Sequence, residues 1–237
     1  MKKGKNRWYL AQQHEQKWWE RVLPKGDLTY FAKYAEEFLS SVHDITAITE
    51  KTRILEIGSG PIGILTHLPV EFRCGIDPLE YFYGRTEKCR QIRDAAVHYF
   101  AAQGEYLPFS DNSFDVIIID NILDHCEDVE DVFKEIKRVL AAGGIVYLKN
   151  GTFTWWGIIL SEILEIFRID RGHPYHFREK DLCIFFSTHR LEPLSVSRRG
   201  FLQHYRNLFT SGKILSILRA LSFSQADKVS FVLRNNK

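Results

Sequence analysis

The chain predicts an α/β fold, a mostly parallel sheet with helices on both faces. Three observations point there. Short apolar runs at 53–57, 72–76, 97–101, 114–119 and 145–149 alternate with helix-like segments, notably 84–96 and 127–140. Alternation of this kind builds parallel strands joined by crossover helices. Val116-Ile117-Ile118-Ile119 is apolar at successive positions, as a strand buried on both sides requires. Ile54-Leu55-Glu56-Ile57-Gly58-Ser59-Gly60-Pro61-Ile62-Gly63 reads as a buried strand running into a tight turn. Glycine at Gly58 and Gly60 removes the Cβ atoms that would keep a ligand away from that turn.

Along the chain, residues 7–50 carry Trp8, Tyr9, Trp18, Trp19, Tyr30, Phe31, Tyr34 and Phe38, the aromatics that a helical lid over a ligand would need. They also suit simple packing on the sheet edge. The second strand, Phe72-Arg73-Cys74-Gly75-Ile76, ends at Asp77, where an acid can accept hydrogen bonds from a ribose diol. The helix at 127–140 spaces Val129, Val132, Phe133, Ile136, Val139 and Leu140 by threes and fours, giving one apolar face. Residues 151–171 form an apolar insertion, a strand follows near 191–198, and a second insertion spans 200–227. That insertion includes a short amphipathic helix with Ile214, Leu215, Ile217, Leu218 and Leu221, and a last strand lies near 228–234. Seven strands result, in one domain over 1–237: a helical lid over 1–50, a binding core over 51–150, and insertions with the last strands over 151–237.

Composition narrows the function classes. With 237 residues, 45% hydrophobic and 26% charged, the chain can bury one full core. A net charge of +2 gives no electrostatic footprint for nucleic acid. Cys74, Cys89, Cys126 and Cys183 are widely spaced and form neither a CxxC pair nor a zinc pattern, so reduced thiols in a cytoplasmic protein, and no metal, are expected. No secretory signal opens the sequence, and the apolar stretch 155–167 is interrupted by Glu162 and Glu165 and is too short to span a bilayer. A membrane-surface contact through the two insertions stays open, as does burial of both against each other or in a homodimer; a monomer is equally compatible.

Gly58-x-Gly60-x-x-Gly63 satisfies the dinucleotide pattern, but Glu56 argues against a dinucleotide. A pyrophosphate beside a carboxylate is repelled, whereas a cationic amine and sulfonium are attracted. The stretch from Gln103 to Asp120, with its Leu107-Pro108-Phe109 turn, Ser110-Asp111-Asn112-Ser113 loop and strand Phe114 to Ile119, resembles the class I S-adenosylmethionine-dependent methyltransferases. The likeness continues through Ile122-Leu123-Asp124-His125, Lys134 to Gly144, and Ile145-Val146-Tyr147-Leu148, and covers roughly 50–150.

This resemblance implies a Rossmann-like sheet and several roles. Glu56, with Gly58 and Gly60, matches the motif that orients the methionine end of S-adenosyl-L-methionine. Asp77 matches the ribose-binding acid, and Pro78 and Leu79 can lie against the adenine. Gln103 stands where the family usually has an aspartate for the adenine amino group; its side-chain carbonyl can still accept that hydrogen bond. Gly104 and Glu105 share that loop. Asp120 and Asn121 belong beneath the methionine portion, with Asn121 equally readable as a turn residue. Both late insertions are expected to shape the acceptor pocket.

For chemistry, Asp124 and His125 follow the fourth strand, and His125 is the candidate base if the acceptor is a hydroxyl. Packing beside the cofactor, or helix capping by Asp124, is the plainer reading. His173 and His176, in His173-Pro174-Tyr175-His176-Phe177, are candidate acceptor contacts or loop packing; a zinc site is not expected from them. The sequence thus points to methyl transfer to a small-molecule, sugar or lipid-linked acceptor. The alternatives are a non-catalytic cofactor-binding or scaffold protein, then an NAD-dependent oxidoreductase.

Overall fold

A computed structural model describes residues 5–166, 175–199, 206 and 225–237. Its helices are α1 (Lys5–Val22), α2 (Tyr30–Val42), α3 (Glu80–Tyr83), α4 (Glu87–Ile92), α5 (Val129–Val139), α6 (Trp155–Ile166) and α7 (Glu179–Thr188). Its strands are β1 (Ile54–Ile57), β2 (Arg73–Ile76), β3 (His98–Phe100), β4 (Phe114–Asp120), β5 (Leu140–Phe153), β6 (Leu191–Arg198) and β7 (Gln225–Asn235). They form one seven-stranded sheet in the order β3-β2-β1-β4-β5-β7-β6. The first five strands run parallel, and β7 is antiparallel to both β5 and β6.

This order follows from how the apolar residues divide. Along β4, Ile117 and Ile119 pack on the face covered by α5 and α7, while Val116 and Ile118 pack on the face covered by α1, α2 and α4. A strand whose alternate side chains enter two different cores cannot slip register by one residue without losing both. On one face, α5 inserts Val129, Val132, Phe133, Ile136 and Val139. Asp128 caps that helix by accepting from the Glu130 N–H at 3.1 Å, Glu130 and Asp131 open its first turn, and Lys137 and Arg138 close its last. Each charge therefore complements the helix dipole.

Two expected elements differ in detail. The helix expected at 84–96 is only the short α4, Glu87–Ile92; α3 precedes it at Glu80–Tyr83, and Gly84-Arg85-Thr86 separates the two. The strand at 145–149 runs much further, from Leu140 to Phe153, since β4 pairs with its start at Phe114↔Leu140 and β7 pairs with it from Ile145↔Arg234 to Phe153↔Gln225. Pairing, not local pattern, keeps Asn150-Gly151-Thr152 extended. The amphipathic helix expected around 214–221 lies outside the described residues. Among the described residues, no helix is long and apolar enough to cross a membrane.

Chain direction across the sheet reverses at β1: β2 lies on one side and β4 on the other. Crossover connections leave β1 in opposite senses there, and a crevice opens outside the carboxyl ends of the strands.

Candidate functional site

A cavity of about 1040 Å³ occupies that crevice. Its floor is the turn after β1, with Gly58, Ser59, Gly60 and Pro61. Asp77, Pro78 and Leu79 bound it after β2, Ala102, Gly104 and Glu105 after β3, and Asp120, Asn121, Ile122, His125 and Cys126 after β4. Helices α1 and α2 roof it with Trp8, Trp18, Trp19, Tyr30, Phe31 and Tyr34. The N-terminal aromatics therefore cover the cavity, except that Phe38 is buried against Tyr147 and Tyr9 is exposed.

The glycine turn is held by two carboxylates. Asp77 closes β2 and reaches across to it: one oxygen accepts from the Gly60 N–H at 3.0 Å, the other from its own loop at the Leu79 N–H at 2.8 Å. Glu56, on β1 and only 4% exposed, accepts from the Ile64 N–H at 3.0 Å and the Leu65 N–H at 3.4 Å. Gly58, Gly60 and Gly63 all have positive φ. At Gly58 space is also decisive: a Cβ would sit 2.2 Å from Ile122 Cγ2. Gly58→Ala should therefore cost about 2 kcal/mol or more, combining left-handed backbone strain with overpacking. A denaturant midpoint equal to wild type would show that the turn adapts.

The cavity wall is acidic, with Glu15, Glu56, Asp77, Glu105 and Asp120. Burial pushes the Glu56 carboxyl up to about 8, outweighing its two backbone donors, with Asp120 and Asp77 adding repulsion. Burial likewise raises Asp77 to about 6 against the backbone bonds from Leu79 and Gly60. Glu56 binds its proton more tightly folded than unfolded, so it costs the ligand-free fold stability as pH rises from about 4.5 to about 8. Glu56→Gln should flatten that fall in melting temperature; an unchanged pH profile would mean that Glu56 is not the group responsible.

The other residues predicted from sequence divide clearly. Glu105 lines the cavity, but its carboxylate is committed to the Glu127 N–H at 2.6 Å and the Asp128 N–H at 3.2 Å, where it fixes the entry to α5. Asn121 has φ +59, and its side-chain oxygen accepts from the Gly151 N–H at 3.3 Å, so it is a turn residue that also faces the cavity. Asp120 lies between Lys228 at 3.5 Å and Lys149 at 3.8 Å. His125 lines the cavity and stands 3.9 Å from the Asp124 carboxylate, which does not. Gln103 is not among the lining residues. His176 is also outside the lining and meets the edge of the Phe153 ring at 4.6 Å between centroids. His173 lies outside the described residues.

Sequence reasoning passed over Glu15, Tyr83, Cys126 and Lys228, which also line the cavity. Glu15 accepts from the Trp19 indole at 2.8 Å, and Trp19 meets Tyr83 edge-on at 6.2 Å. Helical spacing of Glu15 and Trp19 was the available signal. Lys228 carried none, because it sits far along the chain on a strand whose pairing is not local. Among the described residues, no group of three or more His, Cys, Asp or Glu is arranged to hold a metal ion.

A family model described as a methyltransferase domain matches residues 55–148, the stretch from β1 to β5 that builds the cavity floor. Over that stretch the chain is similar to the methyltransferase domain family, and its fold is that of solved methyltransferases. Among curated proteins, the chain is 30% identical over 106 residues to the biotin biosynthesis bifunctional protein BioHC of Cellvibrio japonicus, covering 45% of this chain and 21% of that one. It is 27% identical over 156 residues to the uncharacterized methyltransferase C1B3.06c of Schizosaccharomyces pombe, covering 60% and 49%. The chain thus spans less than two thirds of the length of either relative. Its fold matches geranyl diphosphate C-methyltransferase from Streptomyces coelicolor A3(2), solved with Mg2+, geranyl diphosphate and S-adenosyl-L-homocysteine, at a TM-score of 0.65, 18% identity, and 86% and 78% coverage.

Proposed function

We propose that the protein transfers the methyl group of S-adenosyl-L-methionine to a small-molecule, sugar or lipid-linked acceptor. One observation carries this reading: the cavity over the glycine turn is walled by carboxylates, with Glu56 buried and raised to about 8 where no lysine or arginine among the described lining residues stands beside it. Lys228 stands at Asp120, but the stretch of wall at Glu56 and Asp77 has no lysine or arginine cation of its own among the described lining residues. The sulfonium and ammonium of the cofactor supply that charge, whereas a dinucleotide pyrophosphate adds to the repulsion.

The residues present fit the group. Asp77 would take the ribose hydroxyls, Leu79 and Pro78 would lie against the adenine, and Glu56, Asp120 and Asn121 would hold the methionine end. The cofactor supplies an activated methyl group; the protein aligns donor and acceptor and excludes water. The aromatic roof from α1 and α2 would do the excluding.

Calorimetry tests the reading. S-adenosylmethionine and S-adenosylhomocysteine should bind and NAD should not; NAD binding without either would overturn it. Binding should also release a proton, because a ligand cation favours the ionised form of Glu56, and affinity should rise with pH toward about 8. Enthalpies measured in buffers of different ionisation heat read that proton directly, and Glu56→Gln should abolish its release near neutrality.

A further inference from the structure

We propose that Lys228 anchors an anionic group of the methyl acceptor, a carboxylate or a phosphate, and so selects acidic acceptors. The proposal rests on the cofactor reading above. The sheet order places the residue. Asp77 follows β2, Glu56 lies on β1 and Asp120 ends β4; then come β5 and β7, which carries Lys228. At about 4.8 Å per strand, β7 stands roughly 10 Å past β4. A cofactor laid from Asp77 toward Asp120 has its methionine end over β1 and β4. The space above β5 and β7 belongs to the acceptor.

Lys228 pairs in register with Gly151, whose missing side chain leaves that face of β5 open; a Cβ there would meet only Asn121 Oδ1, at 3.6 Å. The ammonium is thereby free to lean over β5 into the cavity, where it is the one lysine or arginine among the described lining residues. It is not held tightly there. Asp120 Oδ1 is 3.5 Å away and the Tyr34 ring centroid 5.7 Å. A well-formed ammonium–carboxylate hydrogen bond measures about 2.7–2.9 Å. Asp120 is also shared. Lys149, buried behind it, sits 3.8 Å from the same carboxylate, 2.6 Å from Glu37 Oε2 and 4.5 Å from the Tyr34 ring centroid. Lys149 is therefore satisfied by Glu37, while Lys228 retains donor capacity directed at the cavity. An acceptor carboxylate or phosphate completes that coordination; an acceptor cation placed there meets an ammonium instead.

The test uses the full chain saturated with S-adenosylhomocysteine and titrated with inorganic phosphate, pyrophosphate or acetate. Wild type should bind the anions, Lys228→Gln should bind them at least about tenfold more weakly, and Lys228→Arg should restore binding. Affinity for S-adenosylhomocysteine should be equal in all three. Equal anion binding in wild type and Lys228→Gln, or none in wild type, overturns the proposal. A second arm compares S-adenosylhomocysteine with methylthioadenosine, which lacks the amino-acid end. If Lys228→Gln weakens only the former, the lysine holds the cofactor's own carboxylate and the acceptor assignment is wrong. Should ethylamine bind, and bind better to Lys228→Gln, the acceptor is cationic and the proposal fails. A wild-type chain that binds neither S-adenosylmethionine nor S-adenosylhomocysteine overturns the cofactor reading, and this one with it.

Discussion

Asp77→Ala should weaken S-adenosylhomocysteine binding by about 10- to 100-fold, the loss expected when a charge-assisted hydrogen bond worth roughly 1.5–3 kcal/mol disappears. Two causes contribute. The first is loss of the acceptor for the ribose hydroxyls. The second is structural: the same carboxylate receives the Gly60 N–H at 3.0 Å and the Leu79 N–H at 2.8 Å, so its removal frees the turn under the ligand. The pH dependence separates them. Burial holds the Asp77 carboxyl at about 6, and hydroxyl donors favour its ionised form, so wild-type affinity should fall as pH drops through about 6. The part of that fall due to Asp77 should vanish in Asp77→Asn, which keeps the size of the side chain, leaving only the dependence that Glu56 brings. Unchanged affinity in a folded Asp77→Ala would remove Asp77 from the ribose site.

The core of this site was legible in the sequence because its geometry is local. Gly58, Gly60 and Glu56 lie within one strand and turn, and Asp77 lies at the end of the next strand. Any chain that pairs β1 with β2 in parallel brings them together, as Ile57↔Ile76 does here. What escaped the sequence reading depends on distant pairing. Lys228 reaches the cavity only because β7 runs antiparallel to β5 with Gly151 opposite it. Glu105 illustrates a different limit. Its position in the loop suggested a ligand contact, yet burial obliges it to accept the Glu127 and Asp128 N–H groups at the mouth of α5, since a buried carboxylate without donors is costly. Sequence spacing cannot say which of several polar groups in a loop turns inward to satisfy the backbone. Arg73 makes the same point in the apolar run of β2. It is 6% exposed, because its guanidinium is consumed by the Leu65 and Leu68 carbonyls and by Asp94 at 2.7 Å.

His125→Ala should lower methyl transfer to a hydroxyl acceptor by about 10²- to 10⁴-fold, the usual contribution of a positioned base. In that reaction the bound cofactor would supply the methyl group to the acceptor oxygen and keep the bonding pair on its sulfur, and His125 would take the hydroxyl proton. The position fits this role. His125 follows β4 on the short turn Leu123–His125 and lines the cavity beside Ile122 and Cys126. Asp124, 3.9 Å from the ring nitrogen Nε2, is too far for a direct hydrogen bond. Affinity for S-adenosylhomocysteine should stay within about twofold of wild type, since a base acts on the acceptor and not on the resting cofactor. A packing role predicts the opposite split, weaker cofactor binding with turnover retained at saturation. His176→Ala is the control: its ring rests on Phe153 outside the cavity and its loss should leave the rate unchanged. Full turnover of His125→Ala from about pH 6 to about pH 9, on an acceptor identified with radiolabelled methyl donor, would end the base assignment. An amine acceptor, which enters as the free base and needs no proton removed by the protein in the transfer step, then becomes the better account.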